Sequence, residues 1–273
     1  MTTENSSTAP GFDTGLDLAD LDRMDAAEAK KLLDWYESEH GDGQGDLTPF
    51  VPFFIEHRPA ALKLYRQFAK TLYDESGLPQ LVIPLNFLYY YMTRGNERGV
   101  LYEVVAARKW GATKREVMET LEIAFVHSGP MGGNAASVAG DYLRLWQDGE
   151  PRQVADPWPA HWVRNPVPVH GPQLGESVNR LFGAHLPGVR DAFEARVTHA
   201  TTDTELPPGI VALYLLHSAV AAGRGEDAMA AAREALAAGL TKKEIVAAVG
   251  FAGLYATGTQ LEEVSRHILE ALD

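Results

Sequence analysis

Apolar residues recur at helical spacing from Leu18 to Glu39 (Leu18, Leu21, Met24, Ala29, Leu32, Leu33, Tyr36), which predicts an amphipathic helix ended by the Gly-rich stretch 41–46. Residues 1–17 show no such periodicity and are expected to form a disordered tail, with 18–56 a helical extension behind it. Apolar periods then predict helices over 58–75, 80–94, 97–110, 114–127 and 133–146. Pro84 lies inside the second of these, so that helix is kinked or begins later. A second set follows at 186–202, 207–222, 225–238, 242–255 and 260–272. No alternating pattern suggests strands, and the expected class is all-α.

The two sets share one register. Gly111 ends a helix, and Thr113 with Glu116 forms a capping box for the next; Gly239, Thr241 and Glu244 repeat this 128 residues later. The same offset pairs His57 with His185, Pro59 with Pro187, Leu78-Pro79 with Leu206-Pro207, and Gly95 with Gly223. A single insertion would destroy all of these matches. The chain therefore reads as a tandem duplication, with repeats at 57–146 and 177–273. The segment 147–176 carries six prolines with Trp158 and Trp162, and reads as a linker pinned to a surface by its indoles.

Composition narrows the partners. Lys and Arg total 24 against 37 Asp and Glu, a net charge of −13, which argues against nucleic acid and anionic membrane. An anionic ligand would have to meet a local cluster of arginine or lysine. There is no cysteine, so disulfides and thiol chemistry within the chain are excluded. The N-terminal residues do not read as a secretory signal, and the apolar run Leu78–Met92 is too short to span a bilayer. A cytoplasmic protein is the expectation.

Ala106-Ala107, Gly111-Ala112-Thr113, Glu116, Ala124, Pro130 and Asn134 together resemble the carboxymuconolactone decarboxylase and alkyl hydroperoxidase D-like superfamily. The second repeat is less similar, with Gly258 and Glu262 at the places of Pro130 and Asn134. The resemblance implies a tandem duplicated alkyl hydroperoxidase D-like helical fold and a homo-oligomer. It also implies a cofactor-independent enzyme performing decarboxylation, isomerisation or lactone turnover on a small organic acid. A non-catalytic ligand-binding or assembly protein on the same fold is the alternative. Peroxidase members of the family carry a Cys-x-x-Cys pair, whose places fall here near Glu97 and Val100. Decarboxylase members carry a histidine where this chain has Glu103, and an acidic residue where Pro84 lies near its place.

The halves differ at the positions that could carry chemistry. At 127 and 255 the pair is His and Tyr; at 89 and 217 it is Tyr and His; at 103 and 231 it is Glu and Ala. The first repeat keeps the site-like set, and the second is Ala-rich. His127 and Glu103 are the candidate acid/base pair, since a neutral imidazole accepts a proton and a carboxylate can orient it. A helix-terminal His satisfied by the last carbonyls, and a solvated Glu, are the structural alternatives. Arg94 and Arg98 flank the Gly95-Asn96 turn, where a carboxylate could dock. Arg98, Asn134, Tyr89 and His217 are the candidate substrate-binding residues. The histidines show no metal-ligand spacing, and no metal or cofactor is expected.

Because a thiolate is the nucleophile of dithiol-dependent peroxide reduction, the metal-free protein should show no turnover of an organic hydroperoxide with a dithiol donor. Loss of hydroperoxide followed by a coupled dithiol assay checks this.

Overall fold

The computed structural model describes residues 16–40, 50–147, 149–150, 152, 155–164, 176–202 and 204–273. The expected tail at 1–17 lies almost wholly outside them, as does the Gly-rich stretch 41–46. No strand occurs among the described residues, and the protein is all-helical. No helix there is long and apolar enough to cross a membrane. The chain divides into two compact units, 1–77 and 78–273. The division falls inside the segment 57–146, so the helix after His57 clusters with the N-terminal unit.

That unit contains α1 (Ala26–His40), α2 (Phe50–His57) and α3 (Pro59–Ser76). The helix predicted from Leu18 starts only at Ala26, for one local reason and one distant one. The Asp25 carboxylate accepts from the N–H groups of Ala27 and Glu28, both at 2.8 Å, which is an N-cap. Upstream, the carbonyls of Asp17, Asp20 and Arg23 accept from the Lys63 ammonium at 2.7 Å each. Lys63 is fully buried and also pairs with Glu28 at 3.0 Å, so the residues before α1 fold around a cation instead of continuing the helix.

The larger unit holds α4 (Val82–Thr93), α5 (Glu97–Lys109), α6 (Lys114–Ser128), α7 (Pro130–Ser137), α8 (Gly140–Arg144), α9 (Glu176–His185), α10 (Pro187–Thr202), α11 (Pro208–Ala222), α12 (Gly225–Ala237), α13 (Lys242–Ala252) and α14 (Gly258–Leu272). A 3₁₀ turn, Gly253–Tyr255, extends α13. Helices α4 and α11 are apolar around nearly their whole circumference, as central helices must be. They pack on each other; α5, α6 and α7 surround α4, while α12, α13 and α14 surround α11. Helix α4 begins at Val82, which puts Pro84 in its first turn, where a missing N–H costs no helical bond. The predicted helix 133–146 is two shorter ones, α7 and α8, separated at Val138 and Ala139.

Helix bounds recur along this unit. The ends of α5 and α12 differ by 128 residues at both termini. Thr113–Glu116 and Thr241–Glu244 form full capping boxes at the starts of α6 and α13. Positive-φ glycines close the preceding turns, Gly95 with Gly223 and Gly111 with Gly239.

The segment 155–164 ties the two capping boxes together. Trp158 Nε1 donates to Glu116 Oε1 at 2.9 Å and Trp162 Nε1 to Glu244 Oε1 at 3.2 Å. Both indoles are buried, and their rings stack at 5.9 Å and 27°. Arg152 adds an ion pair to Glu116 at 2.5 Å, and His161 lies 3.1 Å from Glu244. Backbone approach is close here: a Cβ on Gly239, already at φ +92°, would come within 2.3 Å of the His161 carbonyl oxygen.

Glu116 is 1% exposed and accepts from a cap, an indole and a guanidinium. Glu116→Ala should therefore lower stability by about 3 kcal/mol, because it leaves buried donors unpaired. Trp158→Phe, which removes one donor, should cost about 1–2 kcal/mol. Equilibrium urea unfolding of both variants checks the ranking.

Candidate functional site

A cavity of about 310 Å³ lies where the ends of α4, α6 and α11 meet the start of α12. Helical spacing supplies its walls. Tyr89 and Thr93 lie four residues apart on one face of α4; Leu215, Ser218 and Ala222 share a face of α11. His127 comes from the last turn of α6. Arg94, the C-cap of α4, and Arg224, the N-cap of α12, complete the lining.

Tyr89 and His127 are brought together. The Tyr89 hydroxyl lies 2.6 Å from His127 Nδ1, with the rings edge-to-face. The Tyr89 ring also stacks on Tyr214 at 4.8 Å and 7°. The Tyr214 hydroxyl is 2.7 Å from Thr120 Oγ1, which donates to the Glu116 carbonyl at 2.8 Å. Tyr89 is thus held from both sides, by His127 at its tip and Tyr214 on its face.

Burial sets the charge states. It pushes the Tyr89 phenol up to about 12, opposed by the Ser218 hydroxyl and the Arg224 charge. It pushes His127 down to about 3, with Arg196 adding repulsion. At neutral pH both groups are uncharged, and the contact has two proton arrangements. Either Tyr89 donates to Nδ1, or Nδ1–H donates to the Tyr89 oxygen and leaves Nε2 as an acceptor.

The other expected site residues lie elsewhere. Glu103 is buried on α5, where burial holds its carboxyl well above the ordinary range, yet it lines no part of this cavity. No hydrogen bond or ion pair joins it to His127 among the described residues. Arg98 on α5 and Asn134 on α7 are exposed and outside the cavity lining. The arginines at the cavity are instead Arg94 and Arg224. Arg224, Ser218 and Thr93 are the members the sequence reading passed over. The offset supplied a signal for Arg224, since it follows Gly223 as Asn96 follows Gly95.

His217 is enclosed by aromatic rings. Its ring packs against Phe87 at 5.6 Å, Tyr90 at 4.7 Å and Tyr255 at 5.9 Å. Both ring nitrogens are buried without a hydrogen-bond partner. Tyr255 spends its hydroxyl on the hydroxyl of Tyr91. The reciprocal exchange at 89/217 and 127/255 thus yields two His–Tyr ring contacts, one hydrogen-bonded beside a cavity and the other enclosed by aromatic rings.

No protein-family model, no curated protein and no solved structure matches this chain.

Burial and the Arg94 charge press His217 down to about 3 from its ordinary 6.5. An unfolded chain binds this proton below pH 6.5 while the folded one does not. The linked stability is therefore intact above 6.5 and lost as pH falls toward 3, at about 1.4 kcal/mol per pH unit. His217→Phe should remove that component. Urea unfolding at pH 7 and pH 4 should show a stability difference smaller by about 3 kcal/mol in the variant.

Proposed function

We propose that the protein is a cofactor-independent acid/base enzyme acting on a small organic acid, of the carboxymuconolactone decarboxylase-like type, in a tandem duplicated alkyl hydroperoxidase D-like fold. The observation that carries the chemistry is the 2.6 Å contact between Tyr89 and a neutral His127 on the wall of a cavity that also holds two arginines. The recurring helix bounds, capping boxes and turn glycines support the duplication.

His127 takes the substrate proton at Nε2, with its Nδ1–H donated to Tyr89. The phenol fixes that tautomer, and the Ser218 hydroxyl lies on the same cavity wall. In an isomerisation the proton removed at one carbon returns at another, so no co-reactant is consumed. In a decarboxylation the breaking C–C bond leaves its electron pair on the substrate, carbon dioxide departs, and the carbon takes a proton. A second reading, a non-catalytic binding protein, is favoured by one observation: Glu103, the expected partner of His127, does not reach it.

A thermal-shift screen of small organic acids, followed by turnover measured by proton NMR, tests the proposal. His127→Ala and Tyr89→Phe should each lower kcat by roughly 10²- to 10⁴-fold with the melting temperature retained. Tyr255→Phe, beside the enclosed His217, should change kcat by less than about tenfold. Equal and small effects at 89, 127 and 255 would leave the binding reading standing.

A further inference from the structure

Taking the Tyr89–His127 cavity as the site, as above, we infer that its ligand is a small monocarboxylic acid whose carboxylate is held by Arg94 and Arg224. The charged side chains lining the cavity are these two arginines, and among the described residues no carboxylate lines it. In a chain of net charge −13 this is a local reversal of sign. It is also a composite: Arg94 precedes the turn glycine Gly95 (φ +68°), and Arg224 follows the turn glycine Gly223 (φ +69°). Their counterparts at the 128-residue offset are Ala222 and Asn96. One half thus supplies one guanidinium and the other half supplies the second, and both converge on a single cavity.

Charge counting selects the number of carboxylates. Arg224 is compensated by Asp227 at 2.8 Å. Arg94 has no carboxylate partner among the described residues; its guanidinium lies over the Tyr90 ring at 5.3 Å. The cavity therefore carries one uncompensated positive charge and matches one negative charge, while a dianion would set its second charge near Asp227. The guanidinium fork suits the two oxygens of a carboxylate. Ser218 offers a further hydroxyl, whereas the Thr93 hydroxyl is already donated to the Tyr90 carbonyl at 2.7 Å. Leu215, Ala222 and the Tyr89 ring give the body of the acid apolar surface. At about 310 Å³ the cavity sits at the lower end of small-ligand pockets, roughly 300–1,000 Å³, and favours a short acid.

The full chain is titrated at constant ionic strength with butyrate, butyramide, succinate and inorganic phosphate, following the His127 and Tyr89 ring resonances by NMR. Butyrate should give saturable shifts at both rings and bind more tightly than the other three. Arg94→Gln and Arg224→Gln should each weaken butyrate about tenfold or more. Arg94→Lys should recover part of the loss, and Arg144→Gln, an exposed control, should change nothing. Butyramide equalling butyrate, succinate or phosphate exceeding it, absence of saturable butyrate binding, or full butyrate affinity in well-folded Arg94→Gln would each overturn the assignment. The acid/base reading fails independently: butyrate binding that survives His127→Ala, in a protein that turns over no acid, retains the carboxylate site and rejects catalysis.

Discussion

Two carboxylates with little access to water hold the larger unit in register. Glu116 and Glu244 each close a capping box at a helix start, and each then accepts an indole N–H from one short segment. A buried carboxylate is costly unless its lone pairs are filled. Here the capping N–H groups, Trp158, Trp162 and Arg152 fill them. The starts of α6 and α13 are thereby fixed relative to one another through a stacked pair of tryptophans. The Tyr89 ring is held from the same helix, since it stacks on Tyr214, whose hydroxyl meets Thr120 one turn after Glu116.

Much of the helical plan was legible because its signals are local. Thr113 with Glu116 and Thr241 with Glu244 read as capping boxes from spacing alone, and the helices they start lie where the pattern put them. The tryptophans of the linker read as anchored, and both are buried. Failures occurred where a distant group overrode the local pattern. The apolar residues from Leu18 to Met24 have helical spacing, but the carbonyls of Asp17, Asp20 and Arg23 alongside them serve Lys63, some forty residues away. Helices α2 and α9 are short, and periodicity over eight to ten residues is a weak signal.

The candidate site was legible in part for a related reason. His127 and Tyr89 stand out on comparing positions 128 residues apart, and the structure joins them directly. Glu103 was chosen by its place in the helix, and burial alone cannot say which cavity a side chain reaches. Arg94 and Arg98 flank the same turn, and of the two only Arg94 lines the cavity. The 128-residue offset marks the place of Arg224 after Gly223, but only the packing of α4, α6, α11 and α12 shows that it lines the same cavity as Arg94.

The all-round apolar character of α4 has a consequence for biosynthesis. A helix without a polar face has no stable solvent-facing state, and its partner α11 starts 126 residues later, at Pro208 against Val82. At ~5–20 residues per second, a ribosome needs roughly 6–25 s to supply it. For that interval the nascent chain carries an unpaired greasy surface that α5, α6 and α7 cover only on their own sides. The face of α4 that α11 covers in the folded protein is thus the last of its faces to find a partner.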